Sequence, residues 1–307
     1  MLKLWLSLSG NCRELASIAT MPSSVRTLFE RGAFARVALA STALLGSADG
    51  REVERLWRDA IANPANDKAV KRLLDNMKET EPGSGRYIVE GDYSLSREEF
   101  PSYLLSLQKP APLETKSKEL IVNVADNKLD YWVTSESRRL TYAFQIETFP
   151  SKAALEFTKN SFQVAAADWI AACPECRISF SEDSIENSTF TIRYSNVDRG
   201  LAALSFFPST TSKRYLTVYR PFLRRSSPYD PTGILRHEIG HILGYRHEQV
   251  VGVPGCAFEN KQWVQITKYD AKSIMHTPCV GGNLKMTLQA SDVEGHKCIY
   301  LTGKPCQ

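Results

Sequence analysis

His237-Glu238-Ile239-Gly240-His241-Ile242-Leu243-Gly244-Tyr245-Arg246-His247 gathers three of the chain's five histidines around one glutamate, at spacings that a single metal ion can use. On a helix, His237 and His241 lie four residues apart and share a face, so both imidazoles reach one ion. Glu238 stands beside them, placed to take a proton from water at the metal rather than to ligate it. Gly244 comes three positions after the second histidine, where a helix can end through a left-handed residue that glycine adopts without steric cost. The chain then turns back and delivers His247 as a third ligand. Three protein ligands leave a fourth position for water, which is the catalytic rather than the structural arrangement of zinc. The expectation is a zinc-dependent hydrolase with one ion on His237, His241 and His247 and with Glu238 as general base.

The order of elements around this stretch is readable from periodicity. Asp230 as N-cap and Pro231 at the first helical position specify where the zinc helix begins. Before it, Leu140 to Phe144 reads as a strand and Ser151 to Ala171 as a long helix, with Ala154, Phe157, Phe162, Ala165 and Trp169 on an inward stripe. Ile178 to Phe180, Phe190 to Tyr194 and Tyr215 to Tyr219 read as further strands. After it, Ser291 and Glu294 suggest a capping box for a final helix reaching Tyr300. Nearer the start, residues 51–80 read as two helices broken at Asn63-Pro64, with Val53, Leu56, Trp57, Ile61, Val70, Leu73, Leu74 and Met77 as their apolar positions. Ser94 to Glu99 reads as another helix start with serine capping.

Downstream of the histidines, Tyr269-Asp270-Ala271-Lys272-Ser273-Ile274-Met275-His276 supplies a methionine turn. With it, the chain resembles the metzincin metalloproteases, whose His-Glu-x-x-His-x-x-Gly-x-x-His signature is followed by a methionine-containing turn beneath the zinc. The turn and Glu248 are astacin-like, whereas the segment from Gly200 to Pro208 resembles the one matrixins place before the zinc helix. The chain thus sits between these subfamilies and is similar to bacterial secreted metzincins. The resemblance covers roughly residues 119–307 and implies an α+β fold: a mixed twisted sheet, a long helix, the zinc helix, the methionine turn and a C-terminal helix, behind a mainly helical pro-region. It implies hydrolysis of internal peptide bonds, with protein or peptide substrates. Met275 is expected beneath the site as a support, with Gly244 and Glu248 also supporting, Glu248 through a salt bridge inside the domain; a solvated charge is the other reading of Glu248.

Two departures from the family pattern matter. Thr277 stands where astacin-like proteins carry a tyrosine two residues after the methionine, and it is too short to reach the metal. Matrixins hold a structural zinc on further histidines, but only His276 and His296 remain outside the motif, so one zinc is expected. His276 reads as a structural neighbour of the site and His296 as a surface residue. Val89-Glu90-Gly91-Asp92 resembles the astacin propeptide motif, in which the aspartate takes the metal's open position and silences the zymogen. A turn before a helix is the other reading of Gly91-Asp92. A cysteine switch in this segment is excluded, because no cysteine lies between Cys12 and Cys173.

A length of 307 residues with 43% hydrophobic content suits one substantial soluble domain plus an accessory segment, without a membrane span. The formal charge of +4 is small and of mixed origin, so neither nucleic acid nor an acidic membrane is indicated as a partner, and a monomer is expected. Six of the seven cysteines fall in the second half, which suggests disulfides and an oxidising, extracellular compartment. The preferred pairs are Cys256 with Cys279, Cys298 with Cys306, and Cys173 with Cys176; a redox site or half a zinc knuckle are the rival readings of the last. Arg26, Arg31 and Arg36 before an apolar run ending at Gly46-Ser47-Ala48 resemble a signal peptide, and an ordinary amphipathic helix is the alternative. The domain division expected is a leader over 1–50, a pro-region and linker over 51–118 including the proline- and lysine-rich stretch at 109–118, and a catalytic domain over 119–307. Two other functions are compatible with the motif: a non-catalytic zinc-containing binding protein, and a zinc hydrolase of a non-peptide substrate.

Overall fold

The computed structural model describes residues 50–89, 93–108, 120–224, 227–251, 262–277 and 284–306, and within them the fold is mixed α/β. The first elements are helices α1 (Gly50–Ala62) and α2 (Asp67–Leu74), the hairpin of β1 (Arg86–Val89) and β2 (Tyr93–Ser96), and α3 (Phe100–Gln108). They share a hydrophobic cluster in which Val53, Leu56, Trp57, Ile61, Val70, Leu73, Leu74 and Met77 are all buried with Phe100 and Leu104. The break between the first two helices falls at the expected place, because Asn66 accepts from the backbone N–H groups of Lys68 and Ala69 and restarts the chain as an N-cap.

The helix start expected at Ser94 is instead the second hairpin strand. Leu95 pairs with Tyr87 across the hairpin, and the Ser94 hydroxyl accepts from the Arg86 side chain at 3.2 Å. Helix α3 begins only at Phe100, after Glu99 has accepted a 2.7 Å bond from the Ser96 backbone N–H.

The larger part contains β3 (Ile121–Ala125), β4 (Lys128–Leu129), β5 (Arg139–Phe144), the long helix α4 (Lys152–Ala172), β6 (Ser179–Glu182), β7 (Phe190–Ser195), β8 (Ala203–Leu204) and β9 (Tyr215–Tyr219). Helix α5 (Pro231–Ile242), β10 (Tyr245–Arg246), β11 (Trp263–Gln265) and α6 (Ala290–Lys297) complete it. One sheet runs β6-β5-β7-β9-β8, parallel except for the antiparallel edge strand β8. A second, antiparallel group places β3 between β10 and β11, with β4 also paired to it.

Helices α4 and α5 pack on one core with the large sheet, and Trp169 at the centre of that core is fully buried. Ser151 caps α4 through the Ala154 N–H at 3.1 Å. Its inward stripe is offset from the expected one. Phe162, Ala165 and Trp169 are buried, but Leu155 and Thr158 replace Ala154 and Phe157, and Phe157 is 43% exposed. Disulfides join Cys173 to Cys176 and Cys298 to Cys306, two of the three expected pairs; Cys256 and Cys279 lie outside the described residues, as does the signal-like segment before Gly50. Among the described residues no helix is long and apolar enough to cross a membrane.

The two hydrophobic clusters meet at the β8 edge. Ile88 is buried against Leu204 and Tyr219. Tyr93 makes a parallel bridge to Ser205 and packs tilted against Phe207 with ring centroids 5.0 Å apart. The Arg86 guanidinium bonds the Ser212 hydroxyl.

Candidate metal centre

Helix α5 carries the site, and its two ends are fixed by side chains that the sequence puts beside it. At its start, the Asp230 carboxylate accepts from the N–H groups of Thr232 and Gly233, a cap of the kind that contributes about 1 kcal/mol. At its end, carbonyls that no further helical turn can satisfy find other donors. His241 C=O accepts from Gly244 N–H, Ile242 C=O from the Trp132 indole at 2.8 Å, and Leu243 C=O from the Tyr300 hydroxyl at 2.8 Å. Laterally, the Arg236 carbonyl accepts from the Trp169 indole, while the Arg236 guanidinium takes both a 2.8 Å and a 2.5 Å bond to one carboxylate oxygen of Asp168. The helix that bears His237, Glu238 and His241 is therefore held on every side it presents to the core.

Gly244 ends the helix with φ +100°, a conformation open to glycine and strained for any other residue. A Cβ there would sit 2.0 Å from the backbone oxygen of Asp130, so both the dihedral and the space require glycine. The turn it permits leads directly into β10 and brings His247 back over the helix. Gly244→Ala is accordingly expected to destabilise the fold by about 3 kcal/mol or more, since strain and a backbone clash add. A thermal scan should show a fall of about 6–12 °C, with the metal site lost first because His247 is displaced; an unchanged melting temperature would refute this account of the turn.

The three histidines converge. Their rings lie with centroids 4.8 Å apart for His237 and His241, 4.8 Å for His241 and His247, and 5.2 Å for His237 and His247. Their candidate ligand atoms all lie within 4.8 Å of one another, the one such metal-ligand cluster among the described residues. All three are buried, as is Glu238. The His237 Nδ1 lies 2.7 Å from the Ile274 carbonyl and the His241 Nδ1 lies 2.7 Å from the Tyr245 carbonyl. A carbonyl only accepts, so in each ring Nδ1 carries a proton and Nε2 is the nitrogen left for a metal. This donor set, three imidazoles of which two have their second nitrogens anchored on carbonyls, fits a zinc ion.

Met275 is fully buried against α5, and a Cβ on Gly240 would come within 2.3 Å of its sulfur. Only a glycine on the helix admits that sulfur, so the methionine packs directly against the helix. Glu248 is buried, not solvated: its carboxylate accepts from the Asp270 N–H at 3.3 Å, and its own N–H donates to the Met275 carbonyl at 3.0 Å. The short Thr277 donates its backbone N–H to the Gln249 side chain at 3.1 Å. Gln249 is thus a further support of the methionine turn that the sequence did not reveal. Glu90, Gly91 and Asp92 lie outside the described residues, and Tyr93 is the first one after them. Its partner Phe207 stands edge-on to His241 at 5.5 Å.

The two remaining histidines are both buried, and one of them was misread. His276 bonds the Tyr269 hydroxyl at 2.8 Å, and its Nδ1 donates to the Thr277 carbonyl, so Nε2 accepts from the phenol. Burial holds this imidazole below its ordinary range, in keeping with the neutral tautomer. His296, expected at the surface, is fully buried and packs on Trp169, Tyr245 and Tyr300. Desolvation pushes it down to about 3. No local pattern distinguishes it, because its neighbours come from α4, β10 and the segment that follows α6.

No protein-family model and no curated protein sequence matches the chain. Among solved structures it is similar to two of myroilysin. One is 16% identical with a TM-score of 0.39, covering 59% of this chain and 98% of that one. The other is 14% identical with a TM-score of 0.38, covering 58% of this chain and 91% of that one. A likeness at that level settles neither family nor activity.

Proposed function

We propose that the chain is a zinc-dependent endopeptidase of the metzincin type, with His237, His241 and His247 as ligands of one zinc and Glu238 as general base. The observation that carries this reading is the convergence of three buried histidines on the helix that also bears Glu238, with two of the rings fixed in the metal-binding tautomer. Zinc, when bound, supplies a lowered water pKa of about 7 and polarisation of the scissile carbonyl. Glu238 accepts the proton released as water attacks and later passes it to the leaving amine, so one carboxylate serves as base and then as acid. His237 and His241 keep their Nδ1 protons throughout, because both are held on backbone carbonyls. Met275 and Gly240 set the height of the helix over the turn, and Glu248 ties the strand after the third ligand to that turn.

The activity would be made as a zymogen. We assign residues 51–118 as the pro-region and linker, residues 119–307 as the catalytic domain and Asp92 as the switch residue. Support comes from Tyr93, whose ring contacts Phe207 and so stands one side chain away from His241. Secretion is the compartment in which two disulfides persist. The direct test is an assay on a denatured protein substrate after removal of the pro-region, with and without a chelator. Cleavage abolished by the chelator and restored by zinc is the expected result. Chelator-resistant cleavage, or none with zinc present, would overturn the reading; hydrolysis confined to small esters would favour a non-peptide substrate.

A further inference from the structure

The first turn of α6 contains a carboxylate that does more than cap a helix. Asp292 is fully buried and accepts three hydrogen bonds: from Gln289 N–H at 2.7 Å, from Ile274 N–H at 3.0 Å and from the Ser273 hydroxyl at 2.5 Å. Only the first belongs to the helix cap; the other two come from the methionine turn. Because Ser273 donates its hydroxyl proton to Asp292, its oxygen is available to accept the Met275 N–H at 3.0 Å. That N–H and the Ile274 carbonyl are the two ends of one peptide group, and the carbonyl accepts the Nδ1–H of His237 at 2.7 Å.

We propose that Asp292 is a positioning residue for the metal centre, acting on His237 through a continuous chain that runs from its carboxylate through the Ser273 hydroxyl and the Ile274–Met275 peptide to the imidazole. The proposal rests on the zinc reading of the histidine cluster and adds to it a residue 55 positions downstream of the ligand it serves. Along this chain every bond points the same way. Each group donates toward the carboxylate and accepts from the side of the histidine, so the charge at one end polarises each link toward the other. The result is a stronger acceptor for the His237 N–H, a more electron-rich ring and a fixed ring plane, which is how carboxylate–histidine pairs raise ligand basicity at metal sites. Here the carboxylate does so through a serine and a peptide rather than by direct contact.

Burial works against this charge, raising the Asp292 carboxyl to about 6, with the nearby Asp270 adding to the effect. An exposed serine or aspartate would cap α6 without that cost. The buried carboxylate is therefore better explained by the turn and His237 than by the helix alone.

The chain can be cut without removing its anchor. Ser273→Ala deletes the link between Asp292 and the peptide while leaving the bonds of Asp292 to Ile274 N–H and Gln289 N–H in place. Asp292→Asn keeps the shape and removes the charge. Zinc affinity of the full-length chain, measured by competition with a chromophoric chelator, is expected to fall about 10–100-fold in each variant, and the visible spectrum of the cobalt-substituted protein should shift. Ser273→Thr, which restores the hydroxyl, should recover both. The double variant should bind no more weakly than the worse single one, since both break one chain. If Ser273→Ala binds zinc as tightly as the parent with an unchanged cobalt spectrum, Asp292 merely holds the turn and the proposal is overturned. Should Asp292→Asn fail to fold, the serine pair alone decides. A parent protein that binds no metal would instead sink the zinc reading itself.

Discussion

Glu238→Ala in the activated enzyme is expected to retain zinc and to lose about 10²–10⁴-fold in kcat/KM, the range that removing a general base produces. Glu238 lies buried on α5 between the two helical histidines, and the Ser205 hydroxyl fixes its backbone carbonyl at 3.1 Å. Its backbone is thus fixed, and its carboxylate is not one of the three clustered ligands. Glu238→Gln, which keeps the volume and removes the base, should show the same loss with an unchanged melting temperature. Steady-state kinetics together with metal analysis decide the matter. Activity near that of the parent in either variant would refute the assigned role, and loss of zinc alongside activity would make Glu238 a ligand.

The second large effect concerns release of the N-terminal unit. The full-length chain should be nearly inactive, and cleavage in the linker, between about residues 109 and 118, should raise activity on the order of 10²-fold, equivalent to about 3 kcal/mol of site occupancy. Three contacts motivate this. Ile88 is buried against Leu204 and Tyr219, Tyr93 bridges to Ser205, and the Tyr93 ring lies on Phe207, which in turn faces His241. The hairpin therefore occupies the exposed edge of the large sheet beside the histidines, where an extended peptide would pair. Asp92→Ala should leak activity from the uncleaved chain, because a carboxylate that competes with water for the metal would be gone. Equal activity before and after cleavage would remove the pro-region from the account and leave the metal site standing.

The parts of this molecule legible in its sequence are those fixed by local rules. The histidine stretch is short enough that helical spacing and one glycine determine where three imidazoles go, and Asp230-Pro231 marks the helix start with no tertiary information. The pairing of Cys173 with Cys176 and of Cys298 with Cys306 was accessible for the same reason. What escaped depends on contacts between distant segments. Ser94 looks like a helix cap until its strand partner at residues 86–89 is known, and then it is a hairpin residue bonded to Arg86. The cap of α6 falls on Gln289 and Asp292, not on Ser291 and Glu294, because Asp292 is drawn inward by the methionine turn. His296 has a polar side chain on a short helix, and its packing on Trp169, Tyr245 and Tyr300 makes it a core residue. Strands of two or three residues, such as β8 and β10, are too short to carry a period of two.

The most direct test of the central claim is zinc-edge X-ray absorption on the purified protein, with stoichiometry determined on the same sample. The account predicts one zinc per chain, with three imidazole nitrogens at about 2.0–2.1 Å, a further light-atom ligand and no sulfur. His241→Ala, lacking one of the three ligands, should return essentially no bound zinc. A sulfur shell, two zinc ions per chain, or full occupancy in His241→Ala would contradict it.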